Sequence, residues 1–215
     1  WYVSRISLEA RKAETSQNYR VVMNFFIKPQ YIPRLQPKCC SRVGKDASRF
    51  QAEIYAMATA ILAENKLSHI LDIGCGAAEK LVKINANITG IDIGDNCEIC
   101  QSNYPQHSWI NLDLNEPHEI TCADNALVIC IDVIEHIPNP HYLLTSISKL
   151  CNAHTILIST PERDLVHGID HNGPAVNSTH VREWNKIEFK QLLNSYNLNA
   201  TIELVNETMV ALIRN

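Results

Sequence analysis

Two glycines, one residue apart, follow an acidic residue at the end of an apolar run. Residues 70–76 read Ile-Leu-Asp-Ile-Gly-Cys-Gly, which predicts a strand that turns tightly into the next segment. Glycine gives the backbone the freedom to make this turn and lets a ligand approach it without meeting a Cβ atom. Asp92 lies 20 residues after Asp72, close to the spacing expected of an acid that accepts hydrogen bonds from ribose hydroxyls. The pattern predicts a nucleoside site at the end of a parallel sheet.

A dinucleotide fits this turn less well than a nucleoside that carries positive charge. The third glycine of a dinucleotide fingerprint is replaced by Glu79, and Asp72 lies just before the turn. Two carboxylates at this place would repel a pyrophosphate bound at the start of a helix. We therefore expect S-adenosylmethionine as the cofactor, and NAD with dehydrogenase chemistry is a weaker alternative.

Several motifs follow one another in an order that resembles the class I S-adenosylmethionine-dependent methyltransferases. They resemble, in turn, the glycine motif, the ribose motif, the adenine-facing turn, and the fourth and fifth strands of that family; in this sequence they are residues 71–76, 90–93, 112–114, 128–137 and 157–161. The resemblance covers roughly residues 46–215, and it implies a methyltransferase.

The resemblance also implies roles for residues at the predicted strand ends. Asp72 and the glycine turn would face the methionine tail, Asp92 the ribose hydroxyls and Asp113 the adenine amino group, with apolar residues on both sides of the adenine ring. The alternative is that each Asp is a turn or cap residue. The implied cofactor-binding residues are Asp72, Gly74, Cys75, Gly76, Asp92, Ile93, Asp113, Leu114 and Asp132.

Methyl transfer is an in-line displacement, so an enzyme acts mainly by aligning donor and acceptor and excluding water. A neutral amine needs little more, whereas an alcohol needs a base or a metal. The candidate catalytic residues are Glu135 and His136, after the fourth strand, and His171, in the loop that follows the fifth. The Glu-His pair could instead shape the pocket floor. It could also hold a metal with a further histidine, but we do not predict one. Oxygen is slightly favoured over nitrogen as the methylated atom.

The long polar loop over residues 161–184 is the most individual part of the sequence. It resembles loops that cover the acceptor in methyltransferases of sugars, glycans and small metabolites, so we expect a small-molecule or saccharide acceptor. Arg163 would be available to an acidic substrate, and Trp184 is expected to pack against the last helix. A solvated surface loop is the alternative.

Charge divides the chain near residue 45. Residues 1–45 carry nine Lys and Arg against two Glu, a net charge of +7, whereas residues 46–215 have a net charge of −11. We therefore divide the chain into a basic extension, 1–45, and a methyltransferase domain, 46–215. The extension could dock on the acidic domain, form a lid or a homodimer contact, or bind nucleic acid. An RNA methyltransferase and a non-catalytic cofactor-binding subunit therefore stay as alternatives.

Alternating strand and helix patterns predict an α/β fold, a Rossmann-like doubly wound sheet of seven mostly parallel strands. Only three residues, 206–208, separate the last two strands, so these must form a hairpin with one antiparallel strand. A helix is expected from a cap at Asp46 or Ser48, with Phe50, Ile54, Met57 and Ile61 on its apolar face. A last helix begins at Asn185, whose spacing from Glu188 is that of a capping box. The predicted strands are 69–72, 88–92, 109–112, 127–132, 155–159, 201–205 and 209–213.

The eight cysteines do not suggest a disulfide framework, because several lie inside apolar patterns where cysteine acts as a small buried hydrophobe. No apolar run approaches the roughly 20 residues that span a bilayer. No secretory pattern is present either. We therefore expect a cytoplasmic protein.

Overall fold

A computed structural model describes residues 25–35, 37–38, 51–151 and 155–214, and the structural statements below concern these residues. Seven strands form one sheet: β1 (His69–Ile73), β2 (Asn87–Asp92), β3 (Ser108–Asn111), β4 (Ala126–Ile131), β5 (Thr155–Pro161), β6 (Thr201–Val205) and β7 (Thr208–Ile213). Each strand lies within two residues of its predicted bounds. Part of the predicted extension, including its boundary at residue 45, lies outside the described residues.

Within the described residues, five α-helices accompany the sheet: α1 (Ala52–Glu64), α2 (Asp95–Asn103), α3 (His141–Leu150), α4 (Arg163–His167) and α5 (Lys186–Ser195). Two short 3₁₀ helices cover Leu81–Lys83 and Ile134–His136. None of the helices in the described ranges combines the length and apolar character that crossing a bilayer requires.

The strand order is β3-β2-β1-β4-β5-β7-β6. Strands β1 to β5 pair in parallel, while β7 runs antiparallel to both β5 and β6. This confirms the predicted sheet with one antiparallel strand in a C-terminal hairpin. The chain passes from β1 outward to β3 and returns to β4 beside β1, so the order reverses between β1 and β4. Open α/β sheets bind ligands at the carboxyl ends of the strands at such a point.

Helices cover both faces of the sheet, as the doubly wound prediction requires. Residues of α1 and α2 pack on one face, and residues of α3 and α5 pack on the other. Every residue of β4 is buried, which is typical of a central parallel strand covered on both sides. In α1, Ile54 and Ile61 are buried and Met57 is partly buried, whereas Phe50 and the two predicted caps lie outside the described residues.

Two connections differ from the expected alternation of strands and helices. Between β1 and β2 there is only the 3₁₀ turn, and no helix forms over 112–125 between β3 and β4. In the second of these, Asp113 Oδ1 accepts the backbone N–H and the side-chain amide of Asn115. Such local side-chain bonds compete with helix formation, and Pro117 lacks the N–H that a helix interior uses.

Residues 25–35 and 37–38 form a strap across the loop that follows β5. Ile32 N donates to Asn172 O (2.8 Å), and Arg34 N donates to Val181 O (2.7 Å). The Arg34 guanidinium donates to two further carbonyls of the loop. The described part of the basic extension therefore docks on the chain's own domain, which is one of the alternatives that the sequence leaves open.

Helix α5 begins with the capping box that the sequence predicts. Asn185 Oδ1 accepts Glu188 N (3.0 Å), and Glu188 Oε2 accepts Asn185 N (3.1 Å). The same carboxylate accepts two bonds from the Arg163 guanidinium (2.6 and 3.1 Å) and one from Lys28 N (3.0 Å). Arg163 is 1% exposed, so the prediction that it serves an acidic substrate is wrong. Trp184 packs against Phe189 of α5, as predicted.

We predict that Glu188→Gln lowers the free energy of unfolding by about 3 kcal/mol, because the buried Arg163 guanidinium then keeps only the Asp164 carboxylate, which contacts its Nε at 2.9 Å. Urea denaturation followed by circular dichroism measures this. Glu203→Gln, on the exposed face of β6, is the control and should change stability by less than about 0.5 kcal/mol. Equal effects of the two substitutions would show that the buried pair does not stabilise α5.

Candidate active site

A cavity of about 400 Å³ lies at the carboxyl ends of β1, β2 and β4, where the strand order reverses. Its volume is within the range of small-molecule sites. The structure brings nine of the twelve predicted site residues into its lining: Gly74, Cys75, Gly76, Asp92, Ile93, Asp113, Leu114, Asp132 and His136. The other three, Asp72, Glu135 and His171, are not part of the lining.

The glycine turn after β1 forms one wall of the cavity. Gly74 and Gly76 have φ values of +83° and +55°, which favour glycine. Gly74 N and Cys75 N both donate to Ile91 O, so the turn is fixed to β2 (2.7 and 3.0 Å). A Cβ atom on Gly74 would lie 2.4 Å from a methyl group of Val133. The turn therefore exposes bare backbone to the cavity, while Val133, two residues after β4, packs closely against Gly74.

Asp92 stands at the end of β2 and supports the same turn. Its Oδ2 accepts Gly76 N (2.7 Å), and its Oδ1 accepts Ile93 N (2.8 Å) and the Asn96 side-chain amide (3.0 Å). A carboxylate can accept about four hydrogen bonds, and three are made here. Asp92 therefore has a structural role and retains room for a donor from the cavity.

The remaining predicted residues of the rim also have local partners. Asp113 uses Oδ1 in its turn with Asn115. Asp132, with φ of 51°, accepts the Ser159 hydroxyl on Oδ1 (2.6 Å) and the Gln51 amide on Oδ2 (2.9 Å). These aspartates therefore stabilise their own turns and also line the cavity, so the two interpretations of them from the sequence are compatible.

Asp72 lies behind the glycine turn, and its side chain is fully buried. Its Oδ2 accepts the Tyr55 hydroxyl (3.0 Å), while its Oδ1 has no protein partner among the described residues. Burial raises the pKa of Asp72 to about 7, and the negative charge of Asp92 adds to this. The expected direct contact with a methionine tail is therefore not supported, because Tyr55, and not Asp72, reaches the cavity.

Glu135 is also fully buried, just behind His136. Thr160 donates to its Oε2 (3.0 Å), and its Oε1 lacks a hydrogen-bond partner among the described residues. Burial raises the pKa of Glu135 well above its ordinary value. The acid follows the fourth strand as predicted, but it cannot touch a ligand in the cavity directly.

His136 lines the cavity and is held from behind. Its Nδ1 lies 2.9 Å from Thr179 O, and its Nε2 lies 4.0 Å from Glu135 Oε1. The ring of His180 meets it edge to face, with 4.7 Å between centroids. Glu135, His136 and His180 each offer one ligand atom within 4.8 Å of the others, so this cluster could hold a metal ion.

His171 lies elsewhere, so its predicted catalytic role on the acceptor side is not supported. Its ring packs beside His167, whose Nε2 is 2.8 Å from Glu183 Oε2. The loop folds back on the strap at this point, where His171 meets Tyr31. Burial alone would raise the pKa of Glu183, but the bond from His180 and the nearby imidazoles outweigh it and lower that pKa.

Several cavity residues were not predicted from the sequence, namely Pro37, Lys38, Gln51, Tyr55, Asn96 and Thr179. Four of them come from the strap, from α1 and from the residue before α1, all of which precede the first strand. No local pattern marks these positions, because they reach the cavity only through long-range packing. The polar loop around Thr179 did carry a signal, but the sequence pointed to its histidines.

A family model described as a methyltransferase domain matches residues 45–203. A ubiquinone biosynthesis O-methyltransferase from Glaesserella parasuis serovar 5 is 30% identical over 107 residues, which cover 44% of this chain and 45% of that protein. One from Coxiella burnetii is 27% identical over 92 residues. The chain matches less than half the length of these relatives.

Among solved structures, the methyltransferase domain of bacterial CtHen1 superposes with a TM-score of 0.58 at 17% identity, covering 77% of this chain and 98% of that one. Human N-acetylserotonin methyltransferase in complex with S-adenosylmethionine superposes with a TM-score of 0.56 at 18% identity, covering 75% of this chain and 51% of that one. At these identities the likeness concerns the fold.

We predict that Asp72 makes the protein less stable as the pH rises from about 4 to about 7. The fold favours its protonated form, because the folded pKa of about 7 exceeds the value of about 4 in an unfolded chain. This stabilisation is present below about pH 4 and is lost as pH rises to about 7. Wild type should therefore lose on the order of a few kcal/mol relative to Asp72→Asn over this interval.

Urea unfolding at a series of pH values measures the difference between the two proteins. Asp124→Asn, at an exposed position, is the control and should track wild type at every pH. A constant difference between wild type and Asp72→Asn would show that the buried carboxyl does not titrate as described.

Proposed function

The chain belongs to the methyltransferase domain family, among the class I S-adenosylmethionine-dependent methyltransferases, and we propose that it methylates an oxygen atom of a small-molecule acceptor. One observation carries this proposal. A bare glycine turn, an acidic rim and the imidazole of His136 all face a single cavity at the switch point of the sheet. The name of the Glaesserella relative supports oxygen as the methylated atom.

The residues of the cavity fit S-adenosylmethionine. Asp92 Oδ2 can accept one ribose hydroxyl in addition to Gly76 N, and a second hydroxyl would replace the Asn96 amide on Oδ1. Asp113 uses only Oδ1 in its turn, so Oδ2 is the atom for the adenine amino group. Ile93, 54% exposed, and Leu114 offer apolar surface for the ring.

When bound, this cofactor supplies a methyl group activated by a sulfonium. The residues of the chain must place the acceptor in line and keep water out. His136 is the predicted catalytic residue that reaches the cavity. Since its Nδ1 faces Thr179 O, the neutral ring donates from Nδ1 and has its lone pair on Nε2. That nitrogen can serve an alcohol either as a base or as the ligand of a cation that acidifies the hydroxyl.

We further propose that saccharides are among the acceptors, on the strength of the long polar loop after β5. Thr179 of this loop, whose carbonyl contacts His136, and Lys38 of the strap both line the cavity, and both have polar groups suited to a hydroxylated molecule. RNA methylation is less favoured. In the described part of the extension, Lys28 and Arg34 bond to carbonyls of the chain's own loop instead of projecting as a free basic arm.

We predict that the purified protein converts S-adenosylmethionine to S-adenosylhomocysteine only when a small molecule with a free hydroxyl is supplied. A panel of sugars, phenols, amines and RNA, analysed by mass spectrometry for the added methyl group, measures this. A product from an amine or RNA alone would overturn the assignment to a small-molecule oxygen. Cofactor binding without any product would favour the non-catalytic subunit.

We predict that Asp92→Ala weakens binding of S-adenosylhomocysteine about ten-fold or more, because it removes the ribose acceptor and releases Gly76 N. Isothermal titration calorimetry measures the affinity, and circular dichroism checks the fold. Asp95→Ala, an exposed position at the start of α2, is the control and should bind like wild type. Unchanged affinity in a folded Asp92→Ala protein would show that the ribose assignment is wrong.

A further inference from the structure

We propose that Glu135, His136 and His180 bind a divalent transition-metal ion, which acts on the acceptor hydroxyl. The use of the ion rests on the proposed function, but its binding does not. From the sequence alone, a further histidine could complete a metal site with Glu135 and His136, but none is predicted. The packing of His180 against His136, 44 residues earlier in the chain, changes that conclusion.

The three side chains converge on one point. One ligand atom from each lies within 4.8 Å of the other two, and His136 Nε2 is 4.0 Å from Glu135 Oε1. Zinc binds such nitrogen and oxygen ligands at about 2.0 to 2.2 Å, so two ligands of one ion stand about 3 to 4 Å apart. A small inward movement of the side chains would therefore complete the site.

A second, independent observation concerns Glu135, because one oxygen of its buried carboxylate has no hydrogen-bond partner among the described residues. Its side chain is 0% exposed, yet Oε1 accepts no hydrogen bond from the residues that the structure describes. Its one ion-pair partner within the described ranges is His136, at 4.0 Å and only if the ring is protonated. Buried polar atoms in native proteins nearly always have a partner, and buried carboxylates are paired or coordinate metals. A cation between Glu135 and the two imidazoles would satisfy this oxygen.

Both imidazoles are held as metal-binding histidines usually are. His136 Nδ1 faces Thr179 O at 2.9 Å, and His180 Nδ1 faces Glu183 Oε1 at 2.5 Å. When one ring nitrogen donates its hydrogen to a carbonyl or a carboxylate, the other presents a lone pair to the ion. In both rings Nε2 is therefore the nitrogen that can bind the metal. Glu183, buried between His180 and His167, orients the ring without touching the ion.

A hydrogen bond to His180 competes with this arrangement. The Asn177 amide nitrogen lies 2.9 Å from His180 Nε2, and its Oδ1 accepts from the backbone and hydroxyl of Thr179. Without an ion, the amide hydrogen bond occupies the lone pair of His180. An ion must displace it, so a cluster held only by hydrogen bonds is the alternative that the experiment has to exclude.

The position of the site explains its use in methyl transfer to oxygen. Of the three ligands only His136 lines the cavity, so an acceptor in the cavity would reach an ion held by this cluster beside His136, at a position that three protein ligands leave open. A divalent ion lowers the pKa of a hydroxyl that it contacts. In the reaction the acceptor O–H bond breaks, its proton passes to solvent, and a new O–CH₃ bond forms. The electron pair of the broken C–S bond stays on sulfur, which gives S-adenosylhomocysteine.

The test measures metal binding without cofactor or acceptor. The full chain, stripped with a chelator, is titrated with Zn²⁺, Mn²⁺ or Mg²⁺ by calorimetry, and the visible spectrum of the Co²⁺ form reports the ligand set. We expect one ion per chain, with Zn²⁺ and Mn²⁺ preferred over Mg²⁺ because two ligands are imidazoles. We also expect a higher melting temperature with the ion present.

Ligand variants decide whether the ion binds at the proposed cluster. Glu135→Gln, which keeps the shape of the side chain, and His180→Gln should each weaken binding at least 100-fold and alter the Co²⁺ spectrum. His141→Gln, an exposed histidine, should do neither. No stoichiometric binding to wild type, or equal binding by folded Glu135→Gln, would overturn the metal site. Retained S-adenosylhomocysteine binding in that case would leave the proposed function intact.

Discussion

The turn between β1 and the first 3₁₀ helix is the constraint on which the cavity depends. Three of its backbone N–H groups bond to the end of β2, two to Ile91 O and one to Asp92. From the other side, Val133 after β4 packs where a Cβ atom of Gly74 would lie. The turn thus joins three strands at the switch point, and a side chain at Gly74 would push β4 away from it. Because the turn has no outward side chains at its glycines, the cavity wall there is backbone.

The sequence predicted this end of the sheet well because local rules determine it. Strand ends, the glycine turn and the capping box of α5 all depend on residues within a few positions of one another. The short 206–208 connection required the antiparallel strand, and β7 has that direction. By the same logic Asp92, Asp113 and Asp132, each at or just after a strand end, had to lie on one rim.

Burial and loop packing were harder to predict, because they depend on residues far apart in the chain. Asp72 was expected in the cavity, but Tyr55, 17 residues earlier, covers it and accounts for its position behind the wall. The sequence points to His171 in a polar loop with several histidines, but the packing of the strap on this loop determines which of them lies beside His136. Since Arg34 binds carbonyls of this loop, His180 is directed to His136 and His171 is turned toward Tyr31.

The same packing links the most distant part of the chain to the chemistry of the cavity. Glu183 lies between two histidines of the loop, and its backbone N–H donates to the Tyr31 hydroxyl of the strap. The neighbouring Trp184 donates to Phe25 O and is fully buried against α5. His180 therefore takes its orientation from a carboxylate that the strap and α5 hold in place. A rigid support of this kind matters where ring nitrogens must point at one atom, since a small displacement of a ligand changes its metal affinity far more than it changes the fold.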